Sequence, residues 1–196
     1  MEKLSRSDLY SLEDYLEMRD DYRAKVMAHK RNRRIEIGAN IVLLFEDRLI
    51  MQYQIQEMLK AEKIFDAAGI EEELGAYNPL IPDGKNLKAT MMIQYSDIEE
   101  RKKMLAKLLG VEDVTWLQVD GHEKVFAIAD EDMQRSNEDK TSAVHFMRYE
   151  FGDEMIASLH EGAGLNAGVD HESYKQIVSP VAGNITQALT LDFDTH

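Results

Sequence analysis

The feature that most limits the fold of this chain is the segment from Asn40 to Phe65, which is apolar on two opposite sides when drawn as a helix. A helix that is apolar all round is normally buried in the middle of a protein. We therefore predict a central helix, capped by Asn40, with the rest of the molecule packed around it. The two stripes are Ile41, Leu44, Met51, Ile55, Met58 and Leu59 on one side, and Leu43, Ile50, Tyr53, Ala61 and Ile64 on the other.

The second half of the chain changes from helical spacing to alternation. Apolar residues alternate with polar ones from Leu87 to Tyr95, as in a half-buried strand. Asp120-Gly121 lies between two β-rich runs and predicts a hairpin with a type I′ turn. Further strands are predicted at 142–151 and 165–169, and helices at 9–31, 97–109, 153–161, 174–178 and 185–191. Residues 34–37 are predicted to be extended, and the polar residues 130–141 predict a loop.

Helices come first in this order and strands follow, which favours an α+β fold. We expect N-terminal long helices, including the central buried helix, packed on a mixed, largely antiparallel sheet with one or two covering helices. A length of 196 residues suits a single domain, residues 1–196. In that domain a helical layer, 1–78, would pack on a sheet-containing layer, 79–196.

Charge and composition exclude several classes of function. The formal net charge of −14 disfavours binding to nucleic acid and to anionic membranes. No cysteine is present, so disulfides, thiolate zinc sites and cysteine nucleophiles are excluded. No secretory signal and no membrane-spanning run is evident, and we expect a cytoplasmic protein. The basic cluster 30–34 is predicted to be a solvated helix end, with an anion or partner site as the alternative.

Common catalytic motifs are missing from the sequence. There is no phosphate-binding or dinucleotide-binding glycine loop, no zinc-protease helix pair, no EF-hand loop and no nucleophile elbow. Catalytic residues therefore stay unknown at this stage.

Polar residues in apolar surroundings supply the candidates for ligand contacts. A buried carboxylate needs a partner or a shifted pKa, so such residues face solvent, form ion pairs or line a site. The ligand-facing candidates are Glu46, Tyr53, Gln54 and Glu57 on the predicted central helix, and Tyr77 and Asn78 in the following loop. For Tyr77 and Asn78 the alternative is a structural turn.

Two histidines are candidates for metal binding. His145 lies in a predicted strand, and His171 follows Asp170 at a strand end. With carboxylates, these imidazoles would suit iron, manganese or zinc. The alternative is that His145 is a hydrogen-bonded core residue and that His171 belongs to a polar cap. The other histidines are predicted to lie at the surface: His29, His122, His160 and His196.

Several segments together carry a resemblance to a known family. They include Gln54-Ile55-Gln56-Glu57-Met58-Leu59, Tyr77-Asn78-Pro79-Leu80-Ile81-Pro82 and Thr141-Ser142-Ala143-Val144-His145-Phe146. The chain resembles a family of functionally uncharacterised bacterial proteins of this length, a domain of unknown function. The resemblance implies a cytosolic protein whose gene neighbours resemble rubrerythrin and iron–sulfur oxidoreductases. It brings no activity, cofactor or catalytic residue.

Three functional hypotheses remain open. The first is an accessory protein that binds a protein partner, linked to redox or iron metabolism; an acidic surface can steer such association. The second is a metal-binding protein or metal-dependent enzyme with carboxylate and histidine ligands. The third is a small-molecule sensor with a pocket between the central helix and the sheet. A homo-oligomer is compatible with each of them.

Overall fold

The structure, a computed structural model, describes residues 1–131, 135–136 and 139–194. The α-helices of the described chain are α1 (Leu12–Arg31), α2 (Arg48–Glu62), α3 (Ala67–Tyr77), α4 (Ile98–Lys107), α5 (Asp153–His160) and α6 (Gly183–Thr190). Its strands are β1 (Arg34–Ile37), β2 (Ile41–Glu46), β3 (Asn86–Ile93), β4 (Thr115–Val119), β5 (Lys124–Phe126), β6 (Ile128–Ala129), β7 (Val144–Glu150), β8 (Leu165–His171) and β9 (Tyr174–Val178). The predicted α+β class is confirmed.

The strands form two antiparallel sheets. One sheet has the order β1-β2-β3-β7-β6, and the other has the order β5-β4-β8-β9. The segment 124–129 runs from the second sheet into the first, and at the crossing the Ala127 amide donates to the Thr115 carbonyl at 2.9 Å. At the opposite edges, the Tyr174 hydroxyl donates to the Ile37 carbonyl and accepts from the Asn40 amide. The two sheets are therefore joined along both of their edges.

The main core lies between these sheets. Inward-facing residues of β3 and β7, such as Met91 and Tyr149, are fully buried, and α4, α5 and α6 add Leu105, Ile156 and Leu189 to the same cluster. Two smaller clusters lie among the N-terminal segment, α1, α2 and α3. His145 is on the inward face of β7, in register with Met91. It is a polar residue in a mainly apolar part of the core, and the candidate site is built around it.

The predicted central helix is wrong in its first part. Ile41–Glu46 is the strand β2, placed between β1 and β3, and it is apolar on both sides because both of its faces are covered. The helix α2 starts at Arg48, and the Asp47 side chain caps it by accepting from the Ile50 amide at 2.9 Å. Two strands thus come from the first 78 residues. That the chain is a single domain stays a prediction.

Other local predictions also need correction. Residues 174–178, predicted to be helical, form β9, which pairs with β8. The hairpin turn is not type I′, since Gly121 has a positive φ (82°) and Asp120 does not. Arg33 of the basic cluster is buried instead of solvated. Residues 132–134 and 137–138 of the predicted loop 130–141, and His196, lie outside the described residues.

No helix in the described part of the chain combines the length and the apolar character that a bilayer crossing requires.

Candidate metal centre

His145 is the centre of a buried polar cluster. Its side chain has no exposed surface. Its Nδ1 atom lies 2.6 Å from Asp130 Oδ2, and its Nε2 atom lies 2.8 Å from Thr141 Oγ1 and 3.9 Å from Glu112 Oε2. We call Glu112, Asp130, Thr141 and His145 the His145 cluster. Each ring nitrogen of the histidine thus has an oxygen partner within the apolar core.

Asp130 is held in a strained conformation next to β7. It has a φ of 51°, the left-handed region, which aspartate tolerates better than most residues but still at a cost of about 1 kcal/mol or more. Its amide donates to the Phe146 carbonyl, and its Oδ1 atom accepts from the Phe146 amide at 3.0 Å. Arg135 also donates to Oδ1, at 3.2 Å. These bonds hold the second carboxylate oxygen against His145.

Glu112 comes from a different part of the chain. It belongs to the 3-10 turn Val111–Val114, which follows Gly110 and leads into β4. Only 7% of its surface is exposed. Its two oxygens accept from the Ser136 and Thr141 hydroxyls, the second at 3.0 Å. A carboxylate this deeply buried needs such donors to offset its desolvation.

The hydrogen bonds assign the protons of the cluster. The single Thr141 proton is donated to Glu112, so the Thr141 oxygen accepts from His145 Nε2. At Nδ1, the partner is the Asp130 carboxylate, at 2.6 Å. The imidazole ring therefore lies between the Asp130 carboxylate and, through Thr141, the Glu112 carboxylate. A divalent cation could replace the Nε2 proton, because metal ligation by histidine requires a free ring nitrogen.

The geometry divides the cluster into direct ligands and a positioning residue. Ligand atoms of Glu112, Asp130 and His145 all lie within 4.8 Å of one another. Two donors bound to the same ion at about 2.1 Å can be no more than about 4.2 Å apart, and Glu112 Oε2 and His145 Nε2 meet this limit. Asp130 instead contacts the other ring nitrogen, Nδ1. It therefore has the place of the carboxylate that orients a metal-binding histidine.

Asp130, His145 and Thr141 are also joined by hydrogen bonds in the same order as the acid, base and nucleophile of a catalytic triad. Thr141, however, is only 1% exposed, and its hydroxyl proton is donated to Glu112. A nucleophile must reach its substrate and must transfer its proton to the base. Acyl transfer by Thr141 is therefore not the chemistry that this arrangement supports.

The structure places the other metal candidates outside this cluster. His171 Nε2 lies 3.1 Å from the Leu109 carbonyl, and its Nδ1 accepts from the Ser173 amide. Asp170 pairs with Lys124 at 2.6 Å. Both belong to the second sheet's surface, so only His145 of the predicted metal set is in the group of ligand atoms.

The candidates from the predicted central helix lie in two elements, β2 and α2. Glu46 is in β2, where it accepts from Thr90 at 2.7 Å and burial raises its pKa. Glu57 pairs with Arg19. Tyr53 packs in the tyrosine cluster of α1 and α2, and Gln54 is half-buried on α2. Glu57 and Tyr53 share Tyr15 as a neighbour, and that these four residues face a ligand stays a prediction.

The two loop candidates have different roles. The Asn78 side chain donates to the Leu4 carbonyl and accepts from the Leu4 amide, both at 2.8 Å, which fixes the N-terminal segment. Tyr77 lines a cleft against β3 and β7. Among the remaining histidines, His29 pairs with Asp47, which is nearly buried.

Glu112, Asp130 and Thr141 were not identified from the sequence. Each belongs to a turn or loop, where no periodicity indicates which way a side chain points. One weak signal was present: Asp130 directly follows a β-rich run, which is where polar residues can reach a neighbouring strand end. Nothing in the sequence indicates that Glu112 lies beside it.

Comparisons with known proteins give a family but no role. The model of the family described as protein of unknown function (DUF3501) matches residues 3–193. A crystal structure of a novel protein of unknown function from Burkholderia pseudomallei K96243 is similar, with 47% sequence identity and a TM-score of 0.92. The match covers 98% of this chain and 100% of that one. No protein of curated function matches.

Proposed function

This chain belongs to the DUF3501 family, whose description gives no activity, and from that premise we propose that it binds a divalent transition-metal ion at the His145 cluster. The observation that supports the proposal is the grouping of Glu112, Asp130 and His145 ligand atoms within 4.8 Å in a buried setting. Glu112 Oε2 and His145 Nε2 bind the ion directly, with the Thr141 hydroxyl between them. Asp130 holds the imidazole ring in position.

The donor set determines which ions are suitable. One carboxylate, one imidazole and one hydroxyl are hard or intermediate ligands, which suit manganese, iron and zinc more than copper(I). A divalent cation would also balance the charge of the Glu112 and Asp130 carboxylates, of which Asp130 already pairs with Arg135. The carboxylate–histidine–metal arrangement recurs in metal sites because the outer carboxylate fixes the ring.

The proposal is tested by metal analysis of protein purified without chelator or affinity metal. We expect close to one ion of manganese, iron or zinc per chain in the wild type, and loss of that ion in Glu112→Gln and His145→Asn. His171→Ala is the matched control, because His171 lies outside the cluster, and it should keep its metal. Circular dichroism shows whether each variant is folded.

A second measurement covers protein that loses its ion during purification. Manganese, iron(II) and zinc are added separately to the metal-free wild type and to Glu112→Gln. Ligand binding to the folded state raises the melting temperature, so one of the ions should stabilise the wild type and not the variant. Wild-type protein that contains no metal and is stabilised by none of the three ions would overturn the proposal.

The broader expectations from the sequence remain predictions. A link to redox or iron metabolism came from the resemblance, and neither the family description nor the Burkholderia structure names such a role. A cytoplasmic location, a protein partner and a homo-oligomer likewise stay predictions.

A further inference from the structure

A cleft opens on the face of β7 opposite to His145. It has a volume of about 600 Å³, which is in the range of small-molecule sites. The end of α3 and the following 3-10 turn Asn78–Leu80 form one wall, and the outer face of β3 and β7 forms the other. Successive side chains of a strand point to opposite faces, so Phe146 lines the cleft while His145 is in the core. The strand β7 thus separates the cleft from the His145 cluster.

Two cations lie side by side in this cleft. Lys88 of β3 and Arg148 of β7 are directly opposite in the sheet register, an arrangement that destabilises a sheet. Burial, followed by the charge of Arg148, lowers the pKa of Lys88. Arg148 has carboxylate partners at this position, whereas Lys88 has no ion pair among the described residues, so Lys88 is the cation that needs a reason.

The two cations differ in their counter-charges. Arg148 donates through Nε and Nη2 to both oxygens of Glu131, each at 2.7 Å. Lys88 Nζ donates to the Pro79 carbonyl at 2.5 Å, and no carboxylate among the described residues pairs with it. An ammonium group has three donors, so two remain for another acceptor. Glu131, which also lines the cleft, is held by its two hydrogen bonds to Arg148, and Arg148 donates through Nη1 to Glu150 as well.

We propose that this cleft binds a small organic anion in which a carboxylate or phosphate group is joined to an apolar body. The charged group would lie against Lys88 and accept from the remaining donors of its ammonium group. The apolar body would contact the aromatic and aliphatic wall, made up of Tyr77, Leu80 and Phe146. A site with one charged anchor and mostly apolar walls is the usual composition of small-molecule pockets.

A stability measurement distinguishes a binding lysine from a structural one. If Lys88 is retained for a ligand, Lys88→Met removes a poorly paired charge and keeps most of the side-chain volume. The melting temperature of the ligand-free variant should then equal or exceed that of the wild type. If Lys88 is present to hold the Pro79 carbonyl, the variant should be less stable than the wild type, and this result would count against the proposal.

The binding test uses benzoate and phenyl phosphate as probes, with calorimetric titration of the full chain. Benzyl alcohol keeps the ring and lacks the charge, and inorganic phosphate keeps the charge and lacks the ring. We expect at least one aryl anion to bind about tenfold more tightly than both of these compounds, and Lys88→Met to weaken it by about tenfold or more. Lys85→Met is the matched control, since Lys85 is exposed and pairs with Asp153, and it should bind as the wild type does.

The result is independent of the metal proposal. Glu112→Gln, which removes a metal ligand on the other side of β7, should leave binding of the aryl anion unchanged. No binding of either aryl anion, equal binding of benzyl alcohol, or equal binding by Lys88→Met would overturn the anion site.

Discussion

At the scale of single residues, Glu57 shows how a half-buried carboxylate joins two helices. Arg19 of α1 donates to it through Nε and Nη2, both at 2.8 Å, and the Tyr15 hydroxyl donates at 2.6 Å. The Arg19 hydrogen bonds, with that of Tyr15, lower the pKa of Glu57 to about 2. A bidentate arginine pair of this kind is stronger than an ordinary surface ion pair. Glu57 therefore has a structural role in joining α1 to α2, and its predicted contact with a ligand stays a prediction.

This pKa predicts how stability depends on pH. Because the folded-state pKa lies below the usual value of 4.5, Glu57 stabilises the protein above about pH 4.5, and this contribution is lost as the pH falls toward 2. Glu57→Gln should cost about 1–3 kcal/mol of unfolding free energy near pH 6, and the cost should shrink near pH 3. Urea unfolding of both proteins checks this. Exposed Glu17→Gln is the control, and a cost for Glu57→Gln that is the same at both pH values would contradict the assignment.

Asp130 carries the second prediction at this scale. As the residue that orients His145 through Nδ1, it should affect metal affinity without supplying a direct ligand. Asp130→Asn should weaken binding of the ion by about 10–100-fold, whereas His145→Asn should abolish it. Competition with a chelator of known affinity measures both. If Asp130→Asn removes the metal as completely as His145→Asn does, Asp130 is a direct ligand and its assignment as a positioning residue is wrong.

At the scale of elements, the sequence predicted the type of most helices and strands but not the boundary at Asp47. A continuous apolar run fits a buried helix and a strand covered on both faces equally well, and Ile41–Glu46 proved to be the strand. Two signals could have placed the boundary: the β-branched and aromatic content of the run, and Asp47 as a helix cap. The cluster around His145 was harder to predict, because Glu112 and Asp130 come from turns that only the strand pairing brings together.

Gly168 of β8 gives a prediction about sheet packing. It lies opposite Trp116 of β4, and a Cβ atom added there would lie 2.3 Å from the indole ring and 2.9 Å from the Gln176 carbonyl. Gly168→Ala should therefore lower the free energy of unfolding by about 1–3 kcal/mol through overpacking. The control is Gly75→Ala on α3, where an added Cβ meets nothing within 4 Å. That change should stabilise the helix by about 0.5–1 kcal/mol, and denaturant unfolding of both variants compares them.

At the scale of the whole molecule, a buried ion pair joins residues that are far apart in the sequence. Arg33, at the end of the basic cluster, is 2% exposed and pairs through both terminal nitrogens with Asp192, which is 3% exposed. The same guanidinium donates to the carbonyls of Phe45 in β2 and Ala188 in α6. It thus attaches the last helix of the chain to the first sheet. The sequence predicted that the basic cluster is a solvated helix end. The hydrogen bonds of Arg33 show instead that this residue connects an early part of the chain with its last helix.

The cost of burying this pair determines the last prediction. Burial raises the pKa of Asp192 to about 6 even beside Arg33, which indicates that desolvation outweighs the attraction between the charges. Arg33→Met alone leaves a buried carboxylate without its partner and should cost about 3–5 kcal/mol of unfolding free energy. The double variant Arg33→Met with Asp192→Leu should recover part of that loss, because an apolar pair replaces these two charges, while Asp47 loses its pair with Arg33 and keeps its contacts with His29 and the Ile50 amide. Exposed Arg31→Met, from the same basic cluster, should change stability by no more than about 0.5 kcal/mol. Urea unfolding of the four proteins measures these differences, and a double variant no more stable than Arg33→Met would show that the pair itself holds α6 in place.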